Sequence, residues 1–216
     1  MMALVVKVVL SYLLGSVVGS LLLGRLRGVD IRKTGSGNAG ATNALRSQGW
    51  AFALGVATID VGKGALAAGV ISRLSMFGAD PVAFSPAAVG VACGLAAAVG
   101  HCFPLWHGFR GGKGAGTLFG AIVALFPWLA LGVFAVWVLS LVLSGYVGLS
   151  TVLAGVSFAV FIAATPLRGD AVLVALATVA AVLLVYMHRA NLARLRAGTE
   201  PRFERVRVLA RLFSRT

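Results

Sequence analysis

Residues 115–143 read AGTLFGAIVALFPWLALGVFAVWVLSLVL, an uncharged run longer than the roughly 20 residues one helix needs to cross a bilayer. Pro127 lies inside it, lacking a backbone N–H and crowding the preceding turn, so Phe126-Pro127-Trp128 marks either a kink in one tilted helix or a break between two. The choice sets the number of crossings and, with it, the side of the membrane on which every later loop falls.

Further apolar stretches cover residues 3–23, 50–71, 84–102, 146–164 and 171–187. The 216-residue chain is 59% apolar and 12% charged, with a mean hydropathy of +0.96. These values exclude a soluble globular domain and predict one integral membrane domain over residues 1–216, all-α, with roughly five to seven spans. Lys7 sits within the first run, and no small-residue cleavage site precedes Arg25 and Arg27, so that run is expected to be a retained first helix. Cys93 and Cys102 fall in or at the end of an apolar stretch and read as small core residues, not as a disulfide framework.

Charge decides the topology. Nineteen Lys and Arg stand against six acids, giving a formal +13. The acids Asp30, Asp60, Asp80, Asp170, Glu200 and Glu204 are scattered, which argues against a carboxylate metal site. Residues 24–48 carry Arg25, Arg27, Arg32, Lys33 and Arg46, the 106–113 loop carries Arg110 and Lys113, and the segment after His188 carries eight arginines. By the positive-inside rule all three face the cytoplasm. A cytoplasmic tail after the Lys113 loop requires an even number of further crossings, so the break at Pro127 is preferred. The expectation is a polytopic bundle of seven transmembrane helices with the N-terminus outside, the C-terminus inside and the 145–151 turn cytoplasmic. Five spans plus a re-entrant pair keeps the same parity.

The three basic segments are also rich in polar residues. In Gly35-Ser36-Gly37-Asn38-Ala39-Gly40-Ala41-Thr42-Asn43, glycines let backbone N–H groups approach an anion, and Arg32, Lys33 and Arg46 flank the string. It matches G-x-G-x-x-G, but no strand precedes it and no βαβ unit surrounds it. The second segment runs from Gly100-His101 to Gly111-Gly112-Lys113-Gly114, placing an ammonium, loop amides and a following helix N-terminus where one phosphate could sit. It is not a Walker loop: the glycine spacing is one residue short and Gly114 replaces the magnesium-holding hydroxyl. In the third, His188-Arg189-Ala190-Asn191, helical spacing sets His188, Asn191 and Leu195 near one face. The arginines from Arg202 onward need only anionic lipid headgroups as partners. Asp60 and Lys63, three residues apart within an apolar helix, either neutralise each other or meet a substrate.

In this order and separated by apolar helices, these strings resemble the bacterial acyl-phosphate:glycerol-3-phosphate acyltransferases of the PlsY type, from the first helix to about Phe203. The resemblance implies transfer of a fatty acyl group from acyl phosphate to the 1-position of glycerol 3-phosphate, giving lysophosphatidate and phosphate in phospholipid synthesis. It places the chain in the bacterial inner membrane with its site toward the cytoplasm. Membrane lipid is its surroundings, and no nucleic acid and no obligate protein partner is implied. By match, Ser36, Lys113, His188 and Asn191 are the expected catalytic residues. Substrate contacts are expected from Gly35, Gly37, Asn38, Gly40, Thr42, Asn43 and Arg46, from Asp60, Lys63 and His101, from Gly111, Gly112 and Gly114, and from Thr151, Arg189 and Glu200. Gly145 and Gly148 depart from the family's Ser-rich turn, leaving Ser150 or Thr151 to supply a hydroxyl there; Arg110 and Ala115-Gly116 are milder departures.

Two phosphorylated substrates require two anion pockets, and the two glycine loops offer them. An acyl phosphate is already activated, so neither ATP, coenzyme A, a metal nor any other cofactor is chemically necessary. No histidine here has an Asp five residues later, so the His-x4-Asp arrangement of another acyltransferase family is absent. The attacking hydroxyl's proton passes either to His188 or, as the resemblance favours, to the donor's own phosphate, with Ser36, Asn191 and Lys113 orienting. An acyl-Ser36 intermediate is the third route. The rival from another class is a transporter of a phosphorylated small anion, which helix-end glycine loops and an intramembrane Asp60/Lys63 pair would also suit.

Overall fold

The computed structural model describes residues 1–75 and 83–203. Asp80 and the tail from residue 204 onward, with most of its expected headgroup-facing arginines, lie outside the described residues. Among the described residues there is no strand. In chain order the α-helices are α1 Met2–Gly15, α2 Gly19–Leu26, α3 Ala41–Gln48, α4 Trp50–Gly69, α5 Pro86–Cys102, α6 Ala115–Leu125, α7 Pro127–Ser144, α8 Val147–Ala164, α9 Ala171–Met187 and α10 Arg189–Arg196. By length and composition α4, α5, α7 and α8 can each cross a membrane. There are up to six spans if the bent pairs α1/α2 and α9/α10, angled by 41° and 55°, each count as one. The long run at 115–143 does split at Pro127, into the 11-residue α6 and the 18-residue α7.

Two features differ from expectation. The first apolar run is not one straight helix but bends between Gly15 and Gly19, without a proline. The expected turn at 145–151 is shorter, because α8 already starts at Val147 and places Ser150 and Thr151 in its first turns.

The chain forms two compact units, Met1–Phe126 and Pro127–Thr216. In the first, α4 is central and packs on α2, α3, α5 and α6. Close helix approach is set by glycine, as expected where lipid supplies no hydrophobic drive between helices. A methyl group on Gly64 would overlap the Thr117 carbonyl, one on Gly120 the Val61 carbonyl, and one on Gly15 the Ala97 backbone. A small core of Val18, Leu21, Ile31, Ala39, Ala44, Phe52, Ala53 and Val56 seats the 31–44 segment on α2 and α4. In the second unit α8 packs against both α7 and α9. Asp170 caps α9 by accepting from Leu173 N at 2.9 Å.

Candidate active site

In the first unit, the first glycine loop is folded around Asn43, which is buried in the first turn of α3. Its Oδ1 accepts from Ser36 N at 2.9 Å, and its Nδ2 donates to Thr34 O at 2.9 Å and Ile31 O at 3.1 Å. Gly35 lies against Asn43 Oδ1 with φ +54°, a left-handed conformation that a side chain would both strain and block. The amide expected to meet substrate is therefore spent on the loop's own backbone, while Ser36, Gly37 and Arg46 are exposed. Asn38, Gly40 and Thr42 are half-buried, Gly40 standing at the N-cap of α3.

The second loop doubles back on the end of α5. Gly111 N donates to Cys102 O at 3.1 Å and Gly112 N to His101 O at 3.0 Å. A methyl group on Gly112 would strike the His101 ring and crowd the Ala39 carbonyl of the first loop, so glycine here lets the two loops touch. Gly114, left-handed at φ +80°, starts α6, and half-buried Lys113 precedes it at the positive end of that helix. Arg32 joins the loops a second time. Its Nε and Nη2 grip Asp30 at 3.0 and 2.9 Å, and its Nη1 donates to His107 O at 3.3 Å and Arg110 O at 3.2 Å. That guanidinium holds the Asp30 carboxyl below the usual carboxylate range, chiefly through the side-chain hydrogen bond.

Beneath the loops Asp60, Lys63 and His101 form a buried cluster, each 3–4% exposed. Lys63 Nζ lies 3.0 Å from Asp60 Oδ1 and 2.8 Å from His101 Nδ1, and donates to Gly15 O at 2.9 Å and Val17 O at 2.8 Å. Asp60 Oδ1 also accepts from Gly19 N at 3.1 Å.

In the second unit His188 caps α10, 5% exposed, and its Nδ1 lies 2.8 Å from Leu184 O. A carbonyl only accepts, so Nδ1 carries hydrogen and proton exchange falls to Nε2. Asn191 Nδ2 donates to Glu200 Oε1 at 2.6 Å, and Arg194 Nε to Glu200 Oε2 at 2.7 Å, so both Glu200 oxygens serve protein partners. Gly148 sits against Asn191, where a methyl group would overlap the Asn191 side chain. Ser150 and Thr151 bond back to Tyr146 O and Val147 O, and Thr151 Oγ1 also accepts from Trp137 Nε1 at 3.3 Å. Arg189 is exposed, stacked 4.2 Å from the Tyr186 ring centre. Among the described residues no three His, Cys, Asp or Glu side chains gather in metal-holding range.

A family model described as glycerol-3-phosphate acyltransferase matches residues 5–198. The chain belongs to this family. Proteins named glycerol-3-phosphate acyltransferase from Chlorobaculum parvum and Salinibacter ruber are 35% and 39% identical, over 94% and 93% of this chain and 97% and 92% of theirs. Among solved structures the chain is similar to the crystal structure of PlsY (YgiH), an integral membrane glycerol 3-phosphate acyltransferase. The glycerol 3-phosphate form gives a TM-score of 0.82 at 35% identity, covering 95% of this chain and 98% of that one. The lysophosphatidic acid form gives 0.80 at 34%, covering 94% and 97%.

This acyltransferase uses residues that sequence reading passed over. Tyr12, Ser16 and Ser20 look like ordinary small or aromatic members of an apolar helix, yet all three bond the loops. Tyr12 OH donates to Phe103 O at 2.9 Å, Ser16 Oγ accepts from Leu105 N at 3.3 Å, and Ser20 Oγ donates to Ala39 O at 3.0 Å. Their i, i+4, i+8 spacing was the available signal, since a polar stripe on one face of a membrane helix needs partners.

Proposed function

We propose that the chain transfers a fatty acyl group from acyl phosphate to the 1-hydroxyl of glycerol 3-phosphate, at the cytoplasmic face of a bacterial inner membrane. The carrying observation is the pair of glycine loops braced together in the first unit, one bearing Ser36 and leading into α3 with its Arg46, the other leading through Lys113 into α6. Similarity to a solved relative described in glycerol 3-phosphate and lysophosphatidic acid forms supports the same acceptor and product here.

The acceptor hydroxyl attacks the acyl carbonyl carbon, a C–O bond forms, and the bond from that carbon to the phosphate oxygen breaks. Arg46 and Lys113 offset the phosphate charges, and Ser36 and the loop amides orient them. The hydroxyl proton leaves with the donor's phosphate oxygen, so the chain need not supply a base. His188 and Asn191 are assigned to the same reaction by sequence correspondence; any proton His188 takes, it takes at Nε2.

The topology proposed is seven crossings: the α1/α2 pair, α4, α5, α6, α7, α8 and α9, with the N-terminus outside. The count places residues 27–49, 103–114 and 188–203 in the cytoplasm. Single cysteines at Arg46, Arg110 and Arg196 should all label from that side, and labelling from opposite sides would end this topology. Phosphate release in detergent should require both acyl phosphate and glycerol 3-phosphate, proceed without ATP, and fail with acyl-coenzyme A. Radiolabelled acyl chain trapped on Ser36 in a single turnover would replace direct transfer by a covalent route, and full rate in His188→Ala would remove His188 from the proton path. Glycerol 3-phosphate uptake into sealed vesicles without phosphate release would instead favour transport.

A further inference from the structure

We propose that Asp60, Lys63 and His101 are positioning residues that set the separation of the two glycine loops by pinning the bend in the first helix. The inference rests on reading those loops as phosphate sites, and it gives the buried cluster a task other than touching substrate.

A helix that stops and restarts inside a bilayer exposes carbonyls at the first end and N–H groups at the second, and lipid offers them no partner. Here one pair of α4 side chains serves both ends. Lys63 Nζ takes the carbonyls of Gly15 and Val17, and Asp60 Oδ1 takes the N–H of Gly19. Prolines and Gly/Ser pairs are the usual causes of bends; Gly15-Ser16 and Gly19-Ser20 flank this one, and an ion pair on α4 holds its open groups from outside the helix.

Each arm of the bend carries one loop. Upstream, Tyr12 and Ser16 hold the second loop at Phe103 and Leu105; downstream, Ser20 holds the first at Ala39. The angle between α1 and α2 therefore sets the distance between the loops. His101 closes the arrangement. Its Nδ1 lies 2.8 Å from Lys63 Nζ and 3.3 Å from Asp60 Oδ1, so the ring meets both members of the ion pair, and its Nε2 edge packs on Gly112. Gly112 in turn abuts Ala39 O. The pin thus reaches the junction of the loops both through the backbone of α1/α2 and through one imidazole.

Burial of all three side chains, and the engagement of the Lys63 amine by four protein atoms, favour positioning over contact. The test uses spin labels on Lys33→Cys and Arg110→Cys, one beside each loop, with buried Cys93 and Cys102 left in place. Lys63→Met should shift or broaden the interlabel distance distribution by several ångströms. It should also raise KM for glycerol 3-phosphate per folded enzyme by roughly tenfold to hundredfold, the range for a misplaced substrate group. His101→Leu leaves the helix-end caps intact and serves if Lys63→Met does not fold; it should move both readouts in the same direction. Lys113→Ala should raise KM without moving the distance. An unchanged distance and KM in folded Lys63→Met or His101→Leu enzyme overturns the proposal. If Lys113→Ala leaves both substrates' KM unaltered, the phosphate reading of the loop fails, while the distance measurement still judges the pin.

Discussion

Replacing Asn43 by aspartate changes one NH2 to one oxygen at nearly constant shape, in a buried site where all three hydrogen bonds of the side chain go to backbone. The acceptor role toward Ser36 N survives. The two bonds to Ile31 O and Thr34 O are lost, worth a net of about 0.5–1.5 kcal/mol each, and an ionised carboxylate then faces two carbonyls that keep only their other donors, the Thr34 amide and hydroxyl on Ile31 O and the Gly37 amide on Thr34 O. Loop order should therefore fall by at least about 1 kcal/mol. Because only the ordered loop binds, apparent affinity is reduced by the competent fraction, and kcat/KM for glycerol 3-phosphate should drop by roughly fivefold or more at neutral pH. Protonation converts the carboxyl to a donor and restores one of the two lost bonds. The flanking carbonyls disfavour the charged form and raise its pKa, so the variant's rate relative to the parent should rise as pH falls through that raised value and be lost above it. The assay is initial phosphate release in detergent across pH, normalised to folded protein. A variant within twofold of the parent's kcat/KM at neutral pH would refute the view that Asn43 is the loop's scaffold.

Gly148→Ala should push Asn191 away from Glu200. Overpacking of about 1–3 kcal/mol would appear as a roughly fivefold to hundredfold lower kcat/KM, checked by steady-state kinetics with the melting temperature as control. Glu200→Gln turns an acceptor oxygen facing Arg194 into an amide. It should lower the melting temperature in detergent more than Arg194→Gln does, because Glu200 also holds Asn191. Asp30 has a lowered pKa in the folded chain, so its contribution is complete above the ordinary carboxylate range and is lost only as pH falls through the depressed value. The melting temperature of the parent should therefore hold through mild acid before falling, whereas Asp30→Asn should start lower at neutral pH and show less acid dependence.

What the sequence made legible was what composition and local chemistry determine. Pro127 splits the long apolar run because a missing N–H and a steric clash act wherever the residue stands. The second glycine loop leads into α6 as read, because left-handed Gly114 meets a local need at a helix start. The bend at residues 16–18 was illegible. It holds no proline, only the flanking Gly15-Ser16 and Gly19-Ser20 pairs hint at it, and the lysine that takes its open carbonyls stands on another helix. Partner choice was equally hidden. Asn43, Thr151 and Glu200 have the chemistry of substrate contacts, but which groups occupy their hydrogen bonds is decided by neighbours that spacing does not reveal.

Acid usage gives the chain its chemical character. Asp30 grips the Arg32 strut, Asp60 caps the helix bend, Asp170 caps α9 and Glu200 closes α10 on Asn191 and Arg194. Every carboxylate among the described residues thus has a structural partner, two of them at helix starts, where negative charge is favoured. An enzyme that must gather two phosphorylated reactants gains from this. A carboxylate facing the loops would repel both, while one already neutralised by arginine or spent on backbone N–H groups does not oppose the positive charge that the proposed mechanism draws from Arg46 and Lys113. The same arrangement is consistent with the proposed transfer of the proton to the departing phosphate.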